Sequence, residues 1–427
     1  MKRAVGTFSL ALLSLMGCVD SGASSDLLDP VTLVLGETVE SEPPASDGDD
    51  SAPSGVAAPA EPTADEADNS DGGDATPEPV TDSEPAAPEE QFVSGRLAAG
   101  GAYELFPLGP AVAGETWTLD ATWSSSATFV VVLFDHQQNL LMRVYMGRGS
   151  RLRHTLRADT EDLTIGVMAP RLSSGGDFSL RVRRESGGTV PAPQAHVAWL
   201  NFGGASNVSV SGEPALSFGA FDGAMVGSDY AGQTDVLKEE IVAAVRADFA
   251  EFNISILTSD DGPPPSEPHA TIHFGGFSTG LLGLADSVDA YNQVADEDAL
   301  VYVESFAAYW TMELTAEEMA VMIANVASHE LGHLLGLYHT KNPIDVMDTT
   351  GDAWQLASPQ SFARAALEDS VFATGMGDSP TILAQTVGYS PFLSAARAKS
   401  PVGLAARQIV QGELPHACGT CRRLDHE

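Results

Sequence analysis

The chain has 427 residues, and 43% of them are hydrophobic, which suffices for the cores of two or three domains of about 100–200 residues each. Aspartate and glutamate total 59 against 21 lysines and arginines, so the formal net charge is -38 at pH 7. Nucleic acids and anionic membrane surfaces are polyanions themselves, so this charge argues against binding to either.

The N-terminal residues 1–18 predict export from the cytoplasm. Lys2 and Arg3 precede the apolar run Ala4–Gly17. This run is shorter than the roughly 20 residues that span a bilayer, and it fits a secretory signal. Its end, Leu15-Met16-Gly17-Cys18, resembles the lipobox of bacterial lipoproteins. That resemblance implies acylation of Cys18, a lipid membrane as partner, and a location in the cell envelope, at the outer membrane or cell surface. The alternative is a plain cleaved signal with a chance cysteine.

Residues 19–90 predict a disordered acidic linker. Twenty acidic residues and no lysine or arginine lie between Cys18 and Glu90. A segment with so much charge and so few large apolar residues cannot bury enough surface to offset the entropy of ordering. We expect it to hold the folded part away from the membrane.

Residues 91–186 predict a small all-β sandwich. Short β-rich runs recur between clusters of Gly, Asp and Ser, which is typical of antiparallel sheets. The expected strands are Tyr103–Leu108, Thr116–Thr122, Thr128–Phe134, Leu140–Met146, Leu163–Val167 and Phe178–Val182. The runs Trp117–Ala121 and Gly176–Val182 resemble the bacterial pre-peptidase C-terminal-type domain, which implies an accessory module without a catalytic group of its own.

A glycine- and proline-containing linker, residues 187–193, leads to a mixed pattern over residues 194–375, for which we expect an α+β fold. Expected strands are His196–Phe202, Asn253–Leu257, Thr271–Phe274 and Leu300–Val303, and Thr234–Phe252 has the apolar spacing of a helix. A second helix should begin at Ala316, because Thr315 and Glu318 have the spacing of a capping box.

The second helix runs into His329-Glu330-Leu331-Gly332-His333. Residues four apart lie on one helical face, so the imidazoles of His329 and His333 can reach one zinc ion. On a continued helix, His339 would lie about 15 Å beyond His329. The helix must therefore stop, and Gly336 suits the left-handed turn that would bring His339 back to the metal.

These residues carry every fixed position of the HExxHxxGxxH signature, and the chain resembles the metzincin superfamily of zinc metallopeptidases. Met347, in Asp345-Val346-Met347-Asp348, resembles the methionine turn of that superfamily, with the spacing of its matrixin branch. The resemblance implies an apolar floor formed by Met347, a peptide or protein substrate, and Glu330 as the general base for a zinc-activated water. It also implies that Leu282–Val294 forms the edge strand of the cleft and Ser358–Leu367 the C-terminal helix.

Other hypotheses stay open from the sequence. The chain could be a zinc-binding pseudo-enzyme, a surface binding or adhesion module, or a metalloenzyme of another class such as an amidase or deacylase. Thr349 stands two residues after Met347, where some metzincins have a tyrosine, so we expect no tyrosine ligand there. The chain has no cysteine between Cys18 and Cys418, which excludes latency through a propeptide cysteine.

Two weaker signals concern a second cation and the C-terminus. Calcium is a candidate cofactor because a cluster of acidic residues could supply oxygen ligands. The cluster comprises Asp286, Asp289, Asp296, Glu297 and Asp298. The alternative is that these residues simply form a solvated loop. Residues 376–427 are expected to form a poorly packed tail. In that tail, Cys418 and Cys421 predict a local disulfide outside the cytoplasm, with a small zinc knot as the alternative.

Overall fold

The computed structural model of the chain describes residues 89–391, in which a β-sandwich precedes a mixed α/β domain. The predicted signal with Cys18, the acidic linker up to residue 88, and the segment with Cys418 and Cys421 lie outside the described residues. Within residues 89–391, no helix is both long enough and apolar enough to cross a bilayer.

Eight antiparallel strands form the β-sandwich. One sheet has the order β1-β8-β3-β6 and the other the order β2-β7-β4-β5. Their bounds are Glu89–Leu97 (β1), Tyr103–Ala111 (β2), Thr116–Ala121 (β3), Phe129–Phe134 (β4), Leu140–Met146 (β5), Arg151–Thr155 (β6), Thr160–Met168 (β7) and Gly176–Glu185 (β8). The six predicted strands are present. β1 and β6 were not predicted, and β1 begins two residues inside the expected linker.

Strand β4 is buried on both faces. Phe129, Val131 and Leu133 point into the core of the sandwich. The alternate residues Val130, Val132 and Phe134 pack in a second cluster with Leu367, Val371 and Phe372 of the α/β domain. An unbroken apolar run is what a strand buried on both faces requires, because successive side chains point to opposite faces. The outer face of this sheet is therefore a contact surface between the two domains.

The α/β domain is built on a five-stranded sheet with the order β12-β9-β13-β15-β14. The first four strands are parallel, and β14 is an antiparallel edge strand. The strands of this sheet are His196–Asn201 (β9), Ile254–Thr258 (β12), Ala270–Phe274 (β13), Gly283–Ala285 (β14) and Asp298–Val301 (β15). Two small hairpins are Ala205–Val208 (β10) with Leu216–Phe218 (β11), and Arg364–Ala366 (β16) with Met376–Asp378 (β17).

The helices cover this sheet. They are Gly223–Val226 (α1), Thr234–Asp248 (α2), Ala316–Leu334 (α3), Ala353–Leu356 (α4) and Ser379–Thr386 (α5), with 3-10 helices at Ser228–Tyr230 and Val303–Met312. Helix α3 begins at Ala316, as predicted, because the Thr315 hydroxyl accepts from Glu318 N and the Glu318 carboxylate accepts from Thr315 N. Its buried stripe is the expected one: Met319, Met322, Ile323 and Val326.

The segment Ser358–Leu367, expected to be a helix, is extended. Its backbone pairs with the turn around Met347 instead of with itself: Ser361 N donates to Ile344 O, and Val346 N donates to Ser361 O. The C-terminal helix is α5, capped by the Asp378 side chain with Pro380 in its first turn.

The expected tail boundary at residue 376 is therefore wrong for residues 376–391. Ile382, Leu383 and Val387 belong to the core of the α/β domain. Two other bounds are shorter than predicted. Helix α2 ends at Asp248, and within Leu282–Val294 only Gly283–Ala285 is a strand.

Candidate metal centre

Three imidazoles converge at the C-terminal end of α3. His329 and His333 lie one helical turn apart, and their Nε2 atoms are 3.0 Å from each other. The Nε2 atom of His339 is 3.2 Å from that of His333. Among residues 89–391, these are the one group of three or more His, Cys, Asp or Glu side chains with ligand atoms within 4.8 Å of one another. The predicted ligands are therefore brought together.

The turn after α3 delivers the third imidazole. Gly336 has φ +91°. Gly336 N donates to His333 O, and Leu337 N donates to Gly332 O, which together form a Schellman motif. A Cβ atom at residue 336 would lie 2.8 Å from Tyr291 N and 2.9 Å from Asp289 O. Glycine is thus required here both by its backbone conformation and by the close approach of the 289–291 segment.

Backbone carbonyls fix the tautomers of the two helical histidines. His329 Nδ1 lies 2.8 Å from Val346 O, and His333 Nδ1 lies 2.8 Å from Leu337 O. A carbonyl only accepts, so each Nδ1 carries the proton and each Nε2 presents a lone pair. Two lone pairs 3.0 Å apart repel each other, and a cation between them relieves that repulsion.

The spacing of these nitrogens fits zinc. Two ligand nitrogens in a tetrahedral zinc site, each 2.0–2.1 Å from the metal, would be about 3.3 Å apart. The two observed separations, 3.0 and 3.2 Å, are close to that value. Burial lowers the pKa of His329 to about 4. Burial and then the neighbouring imidazoles lower the pKa of His333 well below the usual range, and burial, the His329 imidazole and the Arg143 guanidinium do the same to the pKa of His339. All three imidazoles are therefore neutral at pH 7.

The turn at Met347 contacts both His329 and helix α3. Its backbone supplies Val346 O, which orients His329. The Met347 side chain is fully buried, and a Cβ atom on Gly332 of α3 would lie 2.6 Å from its Sδ. The buried Asp345 carboxylate fixes the turn by accepting from Thr340 Oγ1 at 2.7 Å and from Met347 N at 3.3 Å. Met347 thus contacts the helix that carries two imidazoles.

Glu330 lies in α3 beneath the edge strand β14, and its side chain is only 3% exposed. A Cβ atom on Gly283 would lie 2.7 Å from Glu330 Cγ and 2.8 Å from Glu330 Cδ. Strand β14 can therefore lie this close to the carboxylate only because residue 283 has no side chain. Sequence analysis missed Gly283, although the glycine pair in Gly280-Leu281-Leu282-Gly283 was a visible signal.

Asn325 is a second residue that sequence analysis missed. It lies one turn before His329 and is 2% exposed. Its Nδ2 donates to Leu356 O at 2.7 Å and to Ser358 O at 2.8 Å. It thereby fastens α3 to the segment that follows the turn at Met347. A buried amide in an apolar helical stripe was the signal in the sequence.

The acidic residues considered for calcium lie in and beside the loop between β14 and β15. Asp286 accepts from the backbone of Ser211 and of Asp298, and Asp289 accepts from Val294 N. These carboxylates bond to loop amides, and in residues 89–391 they do not form a converging set of three. Calcium stays a prediction.

Comparison with known proteins gives one family match. The Matrixin peptidase family model matches residues 292–359, which include the three histidines and Met347. The match and the histidine triad fit a zinc metallopeptidase of the metzincin type. Curated protein sequences contain no match to the chain.

Three solved structures show partial similarity to the chain, each at low sequence identity. A periplasmic inhibitor of g-type lysozyme from Aeromonas hydrophila is 22% identical, with 23% of this chain and 86% of that chain covered and a TM-score of 0.18. The pre-peptidase C-terminal domain of collagenase from Bacillus anthracis is 16% identical, with 22% and 88% covered and a TM-score of 0.18. The Yersinia pseudotuberculosis-derived mitogen is 14% identical, with 24% and 90% covered and a TM-score of 0.19. Scores this low carry no functional inference.

Proposed function

We propose that the chain is a zinc-dependent endopeptidase of the metzincin type, with His329, His333 and His339 as metal ligands and Glu330 as general base. The observation that carries the proposal is the convergence of three neutral imidazoles, two with lone pairs facing each other 3.0 Å apart. The family match to Matrixin supports peptide bonds as the substrate class. Three protein ligands are the number typical of catalytic zinc, because the fourth position stays open.

Different residues of the chain would have different roles in peptide hydrolysis. Zinc, when bound, lowers the pKa of a coordinated water to about 7 and polarises a carbonyl. Glu330 accepts the proton that the attacking water loses and delivers it to the leaving nitrogen. The carbonyls of Val346 and Leu337 keep the imidazoles in the ligating tautomer. Strand β14 is the last strand of its sheet, so its outer edge can pair with an extended peptide.

The direct test is the variant Glu330→Gln. We expect it to retain one zinc per chain while cleavage of a mixed peptide library falls by about 10²–10⁴-fold, the usual contribution of a general base. Metal content is measured by atomic emission and cleavage by mass spectrometry, with and without a chelator. Glu317→Gln, on the exposed first turn of the same helix, makes the same charge change and should cleave like the wild type.

Two results would count against the proposal. Full peptide cleavage by Glu330→Gln would remove the role assigned to that carboxylate. A wild type that binds zinc but cleaves no peptide, with or without chelator, would favour an adhesion module or an amidase or deacylase instead.

We also propose that acylation of Cys18 anchors the enzyme in the bacterial cell envelope, outside the cytoplasm. The support is the sequence Leu15-Met16-Gly17-Cys18. Metabolic labelling with a palmitate analogue should mark the wild type and not Cys18→Ser. Equal labelling of both would refute the anchor.

A further inference from the structure

His339 is the one imidazole of the three that no helix holds. His329 and His333 are fixed by α3, whereas His339 follows the turn at Gly336. We call residues Gly336–His339 the third-ligand turn. Its first half is bonded to α3 through Gly336 and Leu337, whereas the position of His339 also depends on two neighbouring segments that are bonded to strand β5 of the β-sandwich.

Arg143 of β5 holds one side of the third-ligand turn. Its backbone carbonyl accepts from the hydroxyl of Tyr338, the residue before His339, at 3.3 Å. Its guanidinium donates from Nε to Val371 O at 3.0 Å and from Nη2 to Ser370 O at 3.3 Å. These two carbonyls follow Glu368, whose backbone N donates to His339 O at 3.0 Å. The Arg143 carbonyl thus bonds the residue before His339, and the Arg143 guanidinium bonds the segment after Glu368, which itself bonds His339 O.

Tyr291 connects the other side of the turn to the same strand. Its backbone lies against Gly336, and its hydroxyl donates to Leu141 O of β5 at 3.0 Å. The Tyr291 ring is stacked on His154 at 5.5 Å, and the Arg157 guanidinium lies 4.2 Å from its centroid. Both of those residues belong to the sandwich. The turn is thus held between two sets of contacts that lead to β5.

We propose that strand β5 is part of the metal centre, and that Arg143 is a positioning residue that keeps His339 at the distance a metal requires. This inference rests on the proposed zinc site. An arginine fork that bonds two carbonyls is pre-organised and loses little entropy for each bond it forms. Partners that bond a metal ligand directly typically affect metal affinity by about 10–100-fold, and Arg143, which acts through the segment bonded to His339, should affect it by about tenfold or less. The sandwich is therefore more than a spacer, because its strand β5 helps to position His339.

The test compares Arg143→Ala with Arg364→Ala, using the full chain loaded with zinc. Arg364 crosses the same domain boundary, from Nε to Asn139 Oδ1 at 2.6 Å and from Nη2 to Gln137 O at 2.8 Å, but it bonds no part of the third-ligand turn. Zinc transfer to a chromogenic chelator is followed by absorbance. Arg143→Ala keeps the backbone carbonyl that accepts from Tyr338 and loses the two guanidinium bonds, so we expect it to lose zinc several-fold to about tenfold faster than the wild type. Arg364→Ala should lose zinc at the wild-type rate.

Substitution of zinc by cobalt gives a spectrum that general destabilisation of the fold would not change. Visible absorption of bound Co²⁺ reports ligand geometry, so it should change in Arg143→Ala and stay unchanged in Arg364→Ala. Arg143→Lys should recover part of the zinc retention, because an ammonium can bond one of the two carbonyls. Should Arg143→Ala fail to fold, Tyr291→Phe deletes a single hydroxyl, and we expect it to lose zinc several-fold faster than the wild type.

The outcomes separate this inference from the proposed function. If the zinc-loaded wild type and all of these variants release zinc at one rate, or if Arg364→Ala releases it as fast as Arg143→Ala, the inference is wrong and the proposed function stands. A wild type that binds no zinc overturns both.

Discussion

Gly336 decides where the third imidazole lies, and it does so in two ways. Its φ of +91° strains any other residue, and the backbone of Tyr291 and Asp289 leaves no room for a Cβ atom. Gly232 is a control that distinguishes the cost of the backbone conformation from the cost of the steric clash. It has a similar φ of +80° but nothing within 4 Å of a built Cβ.

We expect Gly336→Ala to lower the free energy of unfolding by about 2 kcal/mol or more, since the left-handed conformation costs about 1–2 kcal/mol and the backbone clash adds to it. Zinc affinity should fall as well, because the turn must shift to relieve the clash. Gly232→Ala is the matched control and should lose stability without losing zinc affinity. Chemical denaturation and zinc titration measure the two effects, and equal zinc affinity in both variants would contradict the argument.

The ligand residues could be predicted because each depends on a local rule. The four-residue spacing puts His329 and His333 on one helical face, and a glycine in the position of Gly336 ends the helix. Gly283 and Asn325 had signals in the sequence, but their contacts beside the centre, like those of Arg143, could not be predicted. Each acts through contact with a segment distant in sequence, so no spacing reveals its partner.

Helices α2 and α3 are joined by a partly buried polar contact. Ser328, the residue before His329, donates to the Asp248 carboxylate at 2.6 Å. Burial raises the pKa of Asp248 from 3.8 to about 6, and the hydrogen bond from Ser328 opposes that rise only in part. The ionised carboxylate therefore costs stability at neutral pH.

This contact gives a pH-dependent prediction for Asp248→Asn. Below about pH 3 the carboxyl is protonated in the folded and unfolded states alike, so wild type and variant should differ least there. Between about pH 4 and 6 the unfolded carboxyl ionises first, so the wild type loses stability relative to the variant as pH rises. Above about pH 7 the stability of the variant relative to the wild type should have risen by about 3 kcal/mol. Urea unfolding at about pH 3 and about pH 7.5 checks this, and a difference independent of pH would contradict it.

At the scale of elements, prediction worked best where the signal is local. The capping box predicted the start of α3, and β-rich runs between turn residues predicted six of the eight sandwich strands. The helix at Ser358–Leu367, which the family resemblance implied, was wrong because this segment pairs its backbone with the turn at Met347. The Asn325 side chain reinforces that extended path by donating to Ser358 O. Tertiary contacts of this kind leave no periodic signal in the sequence.

For the whole molecule, charge is divided unevenly between the two domains. Residues 89–186 contain 11 acidic and 10 basic residues. Residues 187–391 contain 27 acidic residues and only four basic ones, which are Lys238, Arg246, Lys341 and Arg364. A field of one sign concentrates ligands of the opposite sign and speeds their association. The proposed peptidase domain should therefore favour cationic substrates.

We expect a lysine-rich peptide to be cleaved with a kcat/KM about tenfold or more above that of a glutamate-rich peptide of equal length and the same scissile pair at low salt. The advantage should shrink as ionic strength rises towards 0.5 M, about where the screening length falls below 5 Å. Stopped-assay kinetics on the two peptides across a salt series measure it. Equal rates at low salt would show that the field plays no part in selection.

Because β4 is buried on both faces, proteolytic cleavage between the two domains should not separate them. The stretch 185–195 between the domains is exposed, so it is open to nicking. A cut there should not shed the sandwich, since Val130, Val132 and Phe134 would have to enter water first. The two fragments should co-elute as one particle until a denaturant parts them. Once the fragments are parted, the outer face of β4 becomes an exposed hydrophobic patch, and the sandwich fragment should aggregate through it.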